Sequence, residues 1–322
     1  MSSVAASPAA VCFPLAGRRI WVTGHTGMVG GALVRRLADL DCHVLTAPRA
    51  AVDLTRQAAV EDWMAREHPD VVIVAAAKVG GIHANDSRPA EFIHQNLAIA
   101  TTVIHAAHVC GVRKLLYLGS SCLYPRLAPQ PMTEDALLTG PLEPTNQWYA
   151  VAKIAGLKMC QAYRRQYGDD FIAVMPTNLY GPGDTYDHAT AHVPAALIRR
   201  FHEARLRGDP AVVVWGTGTP RREFLCVDDL ADACVFVLER WSSEEPLNVG
   251  TGEDVTIATF AAMVAKVVGY DGRIVFDPSR PDGAPRKLLD VSRLGALGWR
   301  ARTPLESGLR AAYADFLAGG GR

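Results

Sequence analysis

The sequence predicts an α/β fold with a doubly wound parallel sheet and a smaller, interleaved C-terminal domain. Two observations predict this class. Short apolar runs alternate with longer amphipathic stretches from residue 19 onward, and a glycine-rich turn directly follows the first run. With 322 residues, of which 49% are hydrophobic and 20% charged, the chain has material for one large α/β unit or about two ordinary domains.

Five short runs rich in Val, Ile or Leu predict the strands of the main sheet. They are residues 19–23, 43–45, 71–75, 114–118 and 171–175. Helical periodicity predicts the connecting helices, at residues 32–40, 56–67, 88–110 and 149–167. Gly111 and Gly168 stand where C-terminal helix caps are expected. Because long connections separate the strands, the strands are expected to be parallel.

After Pro176 this rhythm breaks into loops, and a helix is predicted at residues 193–207 that ends at Gly208. Residues 224–238 again resemble a strand and a helix, which are expected to return to the main sheet. The predicted division is a cofactor-binding domain of residues 17–178 plus about 219–249, a second domain of about 179–218 plus 250–322, and a disordered tail of residues 1–16.

Charge and cysteine content exclude several classes of function. Lys plus Arg and Asp plus Glu are both 33, so no charge surplus steers the chain toward nucleic acid or an anionic membrane. No apolar run reaches about eighteen residues without a charge. The cysteines are scattered without a Cys-x-x-Cys pair, which predicts reduced thiols and a cytoplasmic location. They are Cys12, Cys42, Cys110, Cys122, Cys160, Cys226 and Cys234.

A phosphate-binding turn is predicted directly after the first strand. Its G-x-x-G-x-x-G pattern consists of Gly24, His25, Thr26, Gly27, Met28, Val29 and Gly30. Such glycines let a pyrophosphate approach the free N–H groups and the positive dipole end of the following helix. A tight turn without a ligand is the alternative, but the position between a strand and a helix favours a dinucleotide. The spacing resembles the extended form of the short-chain dehydrogenase/reductase superfamily, whose sheet is of the Rossmann type.

The end of the second strand predicts the choice of cofactor. NAD sites usually offer a carboxylate about 20 residues beyond the glycines, whereas this chain offers Arg49. A guanidinium suits a 2′-phosphate, which favours NADPH, although an ordinary solvated arginine is the simpler alternative. Asp53 and Leu54 stand where extended members contact the adenine. An acidic helix cap for the residues from Thr55 onward explains Asp53 equally well.

A catalytic group is predicted from three residues. Ser120 follows the fourth strand, and Tyr149 and Lys153 lie on one helical face at i, i+4 spacing. We expect the Lys153 ammonium to lower the pKa of Tyr149, as general acid–base work at a ketone or hydroxyl requires. Ser120 would hydrogen-bond the same substrate oxygen. These residues predict a carbonyl reductase.

Two further residues extend this prediction. Cys122 lies two residues after Ser120, where sugar dehydratases of the superfamily have an acidic pair, so dehydration is not expected. Its thiol can act as a base toward a carbon acid, with His192 as the opposing acid. Taken singly, Cys122 would be a small buried apolar residue and His192 an ordinary loop histidine.

Six segments carry a closer resemblance. They are 75–82 (AAAKVGGI), 119–125 (GSSCLYP), 142–146 (LEPTN), 175–182 (MPTNLYGP), 222–224 (REF) and 281–290 (PDGAPRKLLD). They resemble the family of GDP-L-fucose synthases, and the match runs from about Arg19 to the end of the chain. Its most specific element is Ser-Ser-Cys together with Tyr-x-x-x-Lys and the loop histidine.

The resemblance implies a two-stage reaction on GDP-4-keto-6-deoxy-D-mannose. Cys122 and His192 would invert C3 and C5 through enolates, with Ser120 and Tyr149 holding the oxyanion. NADPH would then reduce the 4-keto group while Tyr149 protonates its oxygen and Lys153 binds the nicotinamide ribose. The second domain would hold the nucleotide sugar.

The resemblance also implies further contacts. Those to the cofactor are Leu118, Gly119, Ser120, Ser121, Lys153, Pro176, Thr177, Asn178, Leu179 and His192. Those to the substrate are Arg200, Trp215, Arg222, Arg273 and Lys287. The family's dimers imply a homodimer through helices 88–110 and 149–167. The family often has an arginine where this chain has Thr26, so the preference for NADPH is expected to be retained but weakened.

Two other functions fit parts of the pattern. One is a related NAD(P)-dependent nucleotide-sugar epimerase or reductase with a different sugar, against which Arg49, Cys122 and His192 count. The other is a non-catalytic NADP sensor, which would usually have lost Tyr149 or Lys153. A metal site is not predicted, because no third ligand joins His188 and His192 in sequence.

Overall fold

The computed structural model describes residues 9–188, 190–280 and 282–319, apart from the side chains at positions 82 and 83. Its strands are β1 (Arg19–Thr23), β2 (His43–Leu45), β3 (Val71–Val74), β4 (Lys114–Leu118), β5 (Phe171–Pro176), β6 (Asn178–Tyr180), β7 (Ala211–Trp215), β8 (Arg221–Arg222), β9 (Phe224–Cys226), β10 (Leu247–Val249), β11 (Val255–Thr256), β12 (Arg273–Asp277) and β13 (Arg286–Lys287). Its helices are α1 (Met28–Ala38), α2 (Gln57–Glu67), α3 (Ile82–Ser87), α4 (Pro89–Val109), α5 (Gln147–Tyr167), α6 (Val193–Arg207), α7 (Val227–Arg240), α8 (Ile257–Val268), α9 (Ser292–Ala296) and α10 (Leu305–Leu317).

The main sheet has six parallel strands in the order β10-β5-β4-β3-β1-β2. The predicted α/β class is confirmed. The chain moves outward from β1 to β2 and then crosses back to β3 on the other side of β1. This reversal creates a crevice at the carboxyl ends of β1 and β3, where doubly wound sheets bind their ligands.

The sheet is buried on both faces because its strands are almost wholly apolar. Alternate residues of β1 serve opposite layers: Trp21 packs with α2, α4 and α5, and Ile20 packs with α1 and α7. A third apolar core lies in the C-terminal part, where Phe201 of α6 and Phe260 of α8 are fully buried with Leu309 of α10. Gly168 and Gly208 cap α5 and α6 with positive φ, as predicted.

The return to the main sheet differs from the prediction for residues 224–238. The strand there, β9, pairs with β6 in a separate two-stranded sheet. The helix α7 does pack on the main sheet beside α1, and the strand that extends the sheet is β10, next to β5. A run of only three apolar residues does not reveal which sheet it joins.

The prediction of a disordered tail is wrong for residues 9–16. The amides of Cys12 and Phe13 both donate to the Glu239 carbonyl at 2.8 and 3.1 Å, and Leu15 is buried. The Phe13 ring also packs against the Arg18 guanidinium. Residues 1–8 of the predicted tail lie outside the described part of the chain.

The division into two domains remains a prediction. Within the predicted second domain, α9 packs against β10 and contributes Leu294 to the core beneath the main sheet. Trp299 lies in the same core, and its indole N–H donates to Asp232 at 2.9 Å. No helix in the described ranges is long and apolar enough to span a bilayer.

Candidate active site

The turn between β1 and α1 accepts only glycine at two positions. Gly24 has a φ of +68°, and a Cβ there would lie 2.8 Å from the Ala76 Cα. At Gly30 a Cβ would collide with the carbonyl oxygen of Gly24. The main chain is therefore open to close approach by a ligand at this turn.

The first turn of α1 leaves hydrogen-bond donors for an anion. Its N-cap, Gly27, provides no side-chain oxygen, and the first turn carries no acidic residue. The Nδ1 atom of the neighbouring His25 is buried without a hydrogen-bond partner in the part of the chain described. The open cradle, the uncapped helix and this nitrogen fit the pyrophosphate of NADPH, which residues 24–30 would hold.

The chain after β2 carries the guanidinium predicted to bind the 2′-phosphate. Arg49 is exposed, and no carboxylate ends β2. The pKa of Asp53 is lowered, chiefly by hydrogen bonds from Thr55 and to a smaller extent by the charge of Arg49. Asp53 Oδ1 accepts bonds from Thr55 N at 3.0 Å and Thr55 Oγ1 at 2.8 Å, which close a local turn. Asp53 is not the helix cap considered for it, because α2 begins at Gln57 with Arg56 as its N-cap and no side-chain cap bond. Its contact with adenine stays a prediction.

The other predicted cofactor contacts lie at the carboxyl ends of β4 and β5. Gly119 sits so close to β5 that a Cβ would lie 2.8 Å from the Met175 Sδ. The Thr177 amide donates to the Val249 carbonyl at 3.0 Å, and Asn178 Nδ2 donates to the Glu223 carbonyl at 2.8 Å. Both segments therefore line the same edge of the sheet as the glycine turn.

Three predicted catalytic residues meet where β4 ends. Ser120 caps a 3-10 turn, and its Oγ accepts a hydrogen bond from the Cys122 amide at 3.2 Å. The Ser120 hydroxyl also hydrogen-bonds the Tyr149 phenol, which reaches it from the first turn of α5. The Cys122 thiol is close enough that a negative charge on it acts to raise the pKa of Tyr149. The Ser120 and Tyr149 hydroxyls, which can bind one substrate oxygen, thus lie close to the Cys122 thiol.

The surroundings of Cys122 favour its thiolate. Burial acts to raise the pKa of this thiol, but the charge of Lys287 and hydrogen bonds from Ser120, Lys287 and Asn146 outweigh it, so the pKa is lowered. The Lys287 Nζ donates to Cys122 Sγ at 3.6 Å. The thiolate that these groups favour is the form that can accept a proton.

Tyr149 does not have the lowered pKa that was expected from Lys153. Burial raises the pKa of Tyr149, and Lys153 is not among the groups that shift it. The Lys153 Nζ instead donates to the Leu118 carbonyl at 2.8 Å and lies over the Tyr117 ring, 4.8 Å from its centroid. The i, i+4 spacing gives the shared helical face correctly, but a long side chain can point back toward the sheet.

Burial lowers the pKa of Lys153 to about 8, which predicts a pH dependence of folding stability. Between pH 8 and its ordinary value of 10.5 the unfolded chain binds a proton that the folded chain has lost. The free energy of unfolding should therefore rise with pH in this window, by about 1 kcal/mol per pH unit, relative to Lys153→Met. Denaturant titrations of both proteins at pH 7.5, 8.5 and 9.5 measure this. Parallel pH profiles would contradict it.

His192 is the N-cap of α6 and is an exposed residue. Protein atoms around the ring nevertheless desolvate it, which lowers its pKa. The loop before it is anchored to the loop after β3, because the Gly81 amide donates to the Thr190 carbonyl at 3.0 Å. The described contacts do not bring His192 against Cys122 or Tyr149, so its predicted role is not tested by them.

Two of the predicted substrate cations lie beside the thiol. Arg222 of β8 pairs in register with Lys287 of β13. Burial lowers the pKa of Arg222, while negative charges on Cys122, Asp282 and Glu143 act to raise it. Both cations therefore face the catalytic cluster.

Arg200 and Trp215 form a second group. They line a cavity of about 300 Å³ along β7, and Arg200 Nη1 donates to the Val213 carbonyl at 2.8 Å. The Arg280 guanidinium lies 5.0 Å from the centre of the Trp215 ring, which is 56% exposed. Arg280 was not predicted, because a cation over an aromatic ring leaves no fixed spacing in the sequence.

Arg273 does not join this group. It begins β12 and pairs with Ala211 at the start of β7, whereas Trp215 ends β7 beside Asp277. The two strands are parallel, so Arg273 and Trp215 are separated by about 13 Å along the strand. Ala211 lines the same cavity as Arg200 and Trp215, so the contact of Arg273 with the substrate stays a prediction.

Two residues near the site were quoted in motifs without a predicted role. Asn146, the N-cap of α5, hydrogen-bonds Cys122 through its side chain while its Oδ1 is buried without a partner among the described residues. Glu223 is fully buried, and its carboxylate accepts from the amides of Thr251, Gly252 and Leu289 at 2.7–3.0 Å. Through these bonds Glu223, which directly follows β8, holds the backbone just before β11 and just after β13.

One of the two histidines considered for a metal has a carboxylate neighbour. His188 Nε2 lies 3.5 Å from a Glu203 carboxylate oxygen. Within the described ranges no group of three or more His, Cys, Asp or Glu residues is arranged to hold a metal ion.

A protein built in this way is a dinucleotide-dependent enzyme that works on a carbonyl or hydroxyl group, since that chemistry uses a proton-donating pair beside a cofactor cradle. Comparison with known proteins agrees. Residues 20–250 match the model of the NAD dependent epimerase/dehydratase family. The chain belongs to this family and, within it, to the GDP-L-fucose synthases.

The relatives that show this cover nearly the whole chain. A GDP-L-fucose synthase from Sinorhizobium fredii is 55% identical over 304 residues, which are 94% of this chain and 97% of that protein. GDP-L-fucose synthase 1 from Arabidopsis thaliana is 56% identical over 300 residues, 93% of each chain. The crystal structure of a GDP-L-fucose synthetase from Naegleria fowleri bound to NADP has a TM-score of 0.89 at 26% identity and covers 98% of each chain.

Proposed function

We propose that this chain converts GDP-4-keto-6-deoxy-D-mannose into GDP-L-fucose, by epimerisation at C3 and C5 and then reduction at C4. The observation that carries the proposal is the cluster after β4, where the Cys122 thiol, the Ser120 hydroxyl and the Tyr149 phenol meet. The Cys122 thiolate, as a base toward a carbon acid, and the Tyr149 phenol, as a proton donor to an oxygen, therefore lie in the same site. Both stages can therefore use the same 4-keto group.

NADPH is the cofactor, and when bound it supplies the hydride for the second stage. The glycine turn and the N-terminus of α1 would hold its pyrophosphate, and Arg49 would hold its 2′-phosphate. Lys153 stands at the carboxyl end of β4 through its bond to the Leu118 carbonyl, where it can bind the nicotinamide ribose.

Epimerisation depends on the acidity that the 4-keto group gives to the C3 and C5 protons. Cys122 as thiolate takes the proton, and the electron pair moves onto the C4 oxygen, which Ser120 and Tyr149 hydrogen-bond. His192 then gives a proton to the opposite face of the carbon, so the centre is inverted. The lowered pKa of the thiol suits its role because it favours the thiolate. Burial lowers the pKa of His192, which makes its imidazolium a stronger acid but a smaller fraction of the ring at neutral pH.

Reduction requires a proton for the C4 oxygen, and Tyr149 gives it. Burial raises the pKa of Tyr149, so the phenol keeps its proton at neutral pH and is ready as the donor. Ser120 hydrogen-bonds the same oxygen and polarises the carbonyl.

Both groups of predicted substrate residues serve the nucleotide part of the substrate. Arg222 and Lys287 offer cationic donors suited to a diphosphate, and Arg200 and Trp215 line the cavity along β7. Trp215 provides an exposed aromatic surface for the base.

The test of the proposed function is the fate of NADPH. With GDP-4-keto-6-deoxy-D-mannose, the protein should oxidise one NADPH for each substrate consumed. An epimerase that recycles tightly held NAD would change the sugar and leave NADPH untouched. A sensor would bind NADPH and change neither.

Arg49 predicts the cofactor preference. Replacing Arg49 with Leu removes charge-assisted hydrogen bonds to the 2′-phosphate, so kcat/KM for NADPH should fall about 10- to 100-fold while kcat/KM for NADH stays unchanged. Arg56→Leu, a nearby arginine that also acts on Asp53, is the matched control. An equal loss with both cofactors would show that Arg49 does not read the 2′-phosphate.

The proposal also covers the oligomeric state of the protein and its cellular compartment. We propose a homodimer through α4 and α5, which pack on each other and leave Val109, Trp148 and Val151 exposed. Seven free cysteines support a reducing compartment such as the cytoplasm.

A further inference from the structure

The ammonium of Lys287 reaches the catalytic thiol from a distant part of the chain. Its Nζ donates to Cys122 Sγ at 3.6 Å, across 165 positions in sequence. The Lys287 residue belongs to β13, a two-residue strand beside β8. The sequence suggested for it only a contact with the substrate.

The backbone around Lys287 is fixed on both sides. Its carbonyl accepts from the Glu223 amide at 3.3 Å, the Leu288 amide donates to Gln130 Oε1 at 2.8 Å, and the Leu289 amide donates to Glu223 Oε2 at 3.0 Å. These bonds tie β13 to β8 and to the loop that follows β4. The direction of the Lys287 side chain toward Cys122 is therefore set by the fold.

The other groups around the thiol do not replace this contact. From α5 come Tyr149, a neutral phenol, and Asn146, a neutral amide. From β8 comes Arg222, but its Nη1 donates to the Arg221 carbonyl at 2.8 Å and its Nη2 to the Asp282 carbonyl at 3.3 Å. Glu143 and Asp282 are the negative groups that act on Arg222. Lys287 is the cation in direct contact with sulfur.

We propose that Lys287 is a positioning residue for proton abstraction, whose ammonium holds Cys122 as a thiolate before the substrate binds. This rests on the proposed function of Cys122 as the base. The thiolate takes a proton from C3 or C5 and becomes a thiol, and the carbon electron pair moves onto the C4 oxygen. The thiol then returns its proton to water, and Lys287 restores the thiolate.

The test is the pH profile of Cys122 alkylation in the full-length protein without substrate. Trypsin releases residues 115–126, which contain Cys122 as their single cysteine, so mass spectrometry reads this thiol apart from the other six. In Lys287→Met the midpoint should rise by about one pH unit or more, and alkylation at pH 7 should slow about tenfold. In Lys287→Arg the rate should stay within about threefold of wild type, because a cation remains.

The control is Lys266→Met, which removes an exposed lysine paired with Glu306. It should leave the Cys122 profile unchanged, and NADPH affinity should report intact folding in all variants. An unchanged midpoint in Lys287→Met overturns the proposal. A midpoint in Lys287→Arg that rises as far as in Lys287→Met also overturns it, since packing rather than charge would then be responsible.

This result is separable from the proposed function, because alkylation requires no substrate and no turnover. A negative result would leave Cys122 as base with another source of its acidity. Loss of the proposed function would show in the sugar product instead.

Discussion

Replacing Tyr149 with Phe should lower the rate of NADPH oxidation about 1,000-fold and leave NADPH affinity within about twofold of wild type. The phenol is the group that can give a proton to the C4 oxygen, and burial keeps it protonated. Removing its oxygen takes away the proton without changing the glycine turn or α1. Stopped-flow absorbance for turnover and fluorescence titration for NADPH binding measure the two quantities.

Tyr163→Phe provides a matched control for this variant. Tyr163 lies on the same helix, α5, and its hydroxyl bonds His105 at 2.8 Å. Its loss should leave turnover unchanged. If Tyr149→Phe retained wild-type turnover, the proton donor would have to be another group.

Replacing Cys122 with Ser should slow proton exchange at C3 and C5 about 100- to 10,000-fold, the range expected for loss of a general base. A serine hydroxyl does not ionise near neutral pH, so the Lys287 ammonium cannot hold it as an anion. Reduction of the 4-keto group should be slowed much less, because Tyr149 and Ser120 remain. NMR in D₂O follows exchange, and NADPH absorbance follows reduction.

Cys110→Ser is the control for the Cys122 variant. Cys110 is a half-buried free thiol whose Sγ bonds the Glu61 carbonyl outside the site. The Cys110→Ser variant should exchange the C3 and C5 protons of the substrate at the wild-type rate. Equal loss of exchange and of reduction in Cys122→Ser would instead mean that the thiol serves the site's structure.

Much of the fold is visible in sequence because its signals are local. The strand bounds predicted at 19–23, 43–45 and 114–118 match β1, β2 and β4, since continuous apolar runs between amphipathic helices have few other solutions. The glycine turn is equally local, because a positive φ at Gly24 and a close approach at Gly30 require those residues themselves.

The electrostatics of the site could not be predicted in the same way. The spacing of Tyr149 and Lys153 says that they share a helical face, but not that Lys153 turns to the Leu118 carbonyl. Burial, which raises one pKa and lowers the other, arises from residues packed far away in sequence.

Contacts between distant short strands were also beyond the sequence. Lys287 meets Cys122 only because two residues of β13 pair with two of β8, a signal too short for any periodicity. The same limit applies to Arg273: the resemblance implied a substrate contact, but the register that pairs it with Ala211, at the far end of β7 from Trp215, was not visible in the sequence.

The most direct test of the account is the NMR spectrum of the sugar product made in D₂O with ordinary NADPH. If one pocket first inverts two carbons through solvent-exchanging groups and then reduces the ketone, the product is GDP-L-fucose with deuterium at C3 and C5 and protium at C4. A product reduced at C4 that retains protium and the original configuration at C3 and C5 would contradict it.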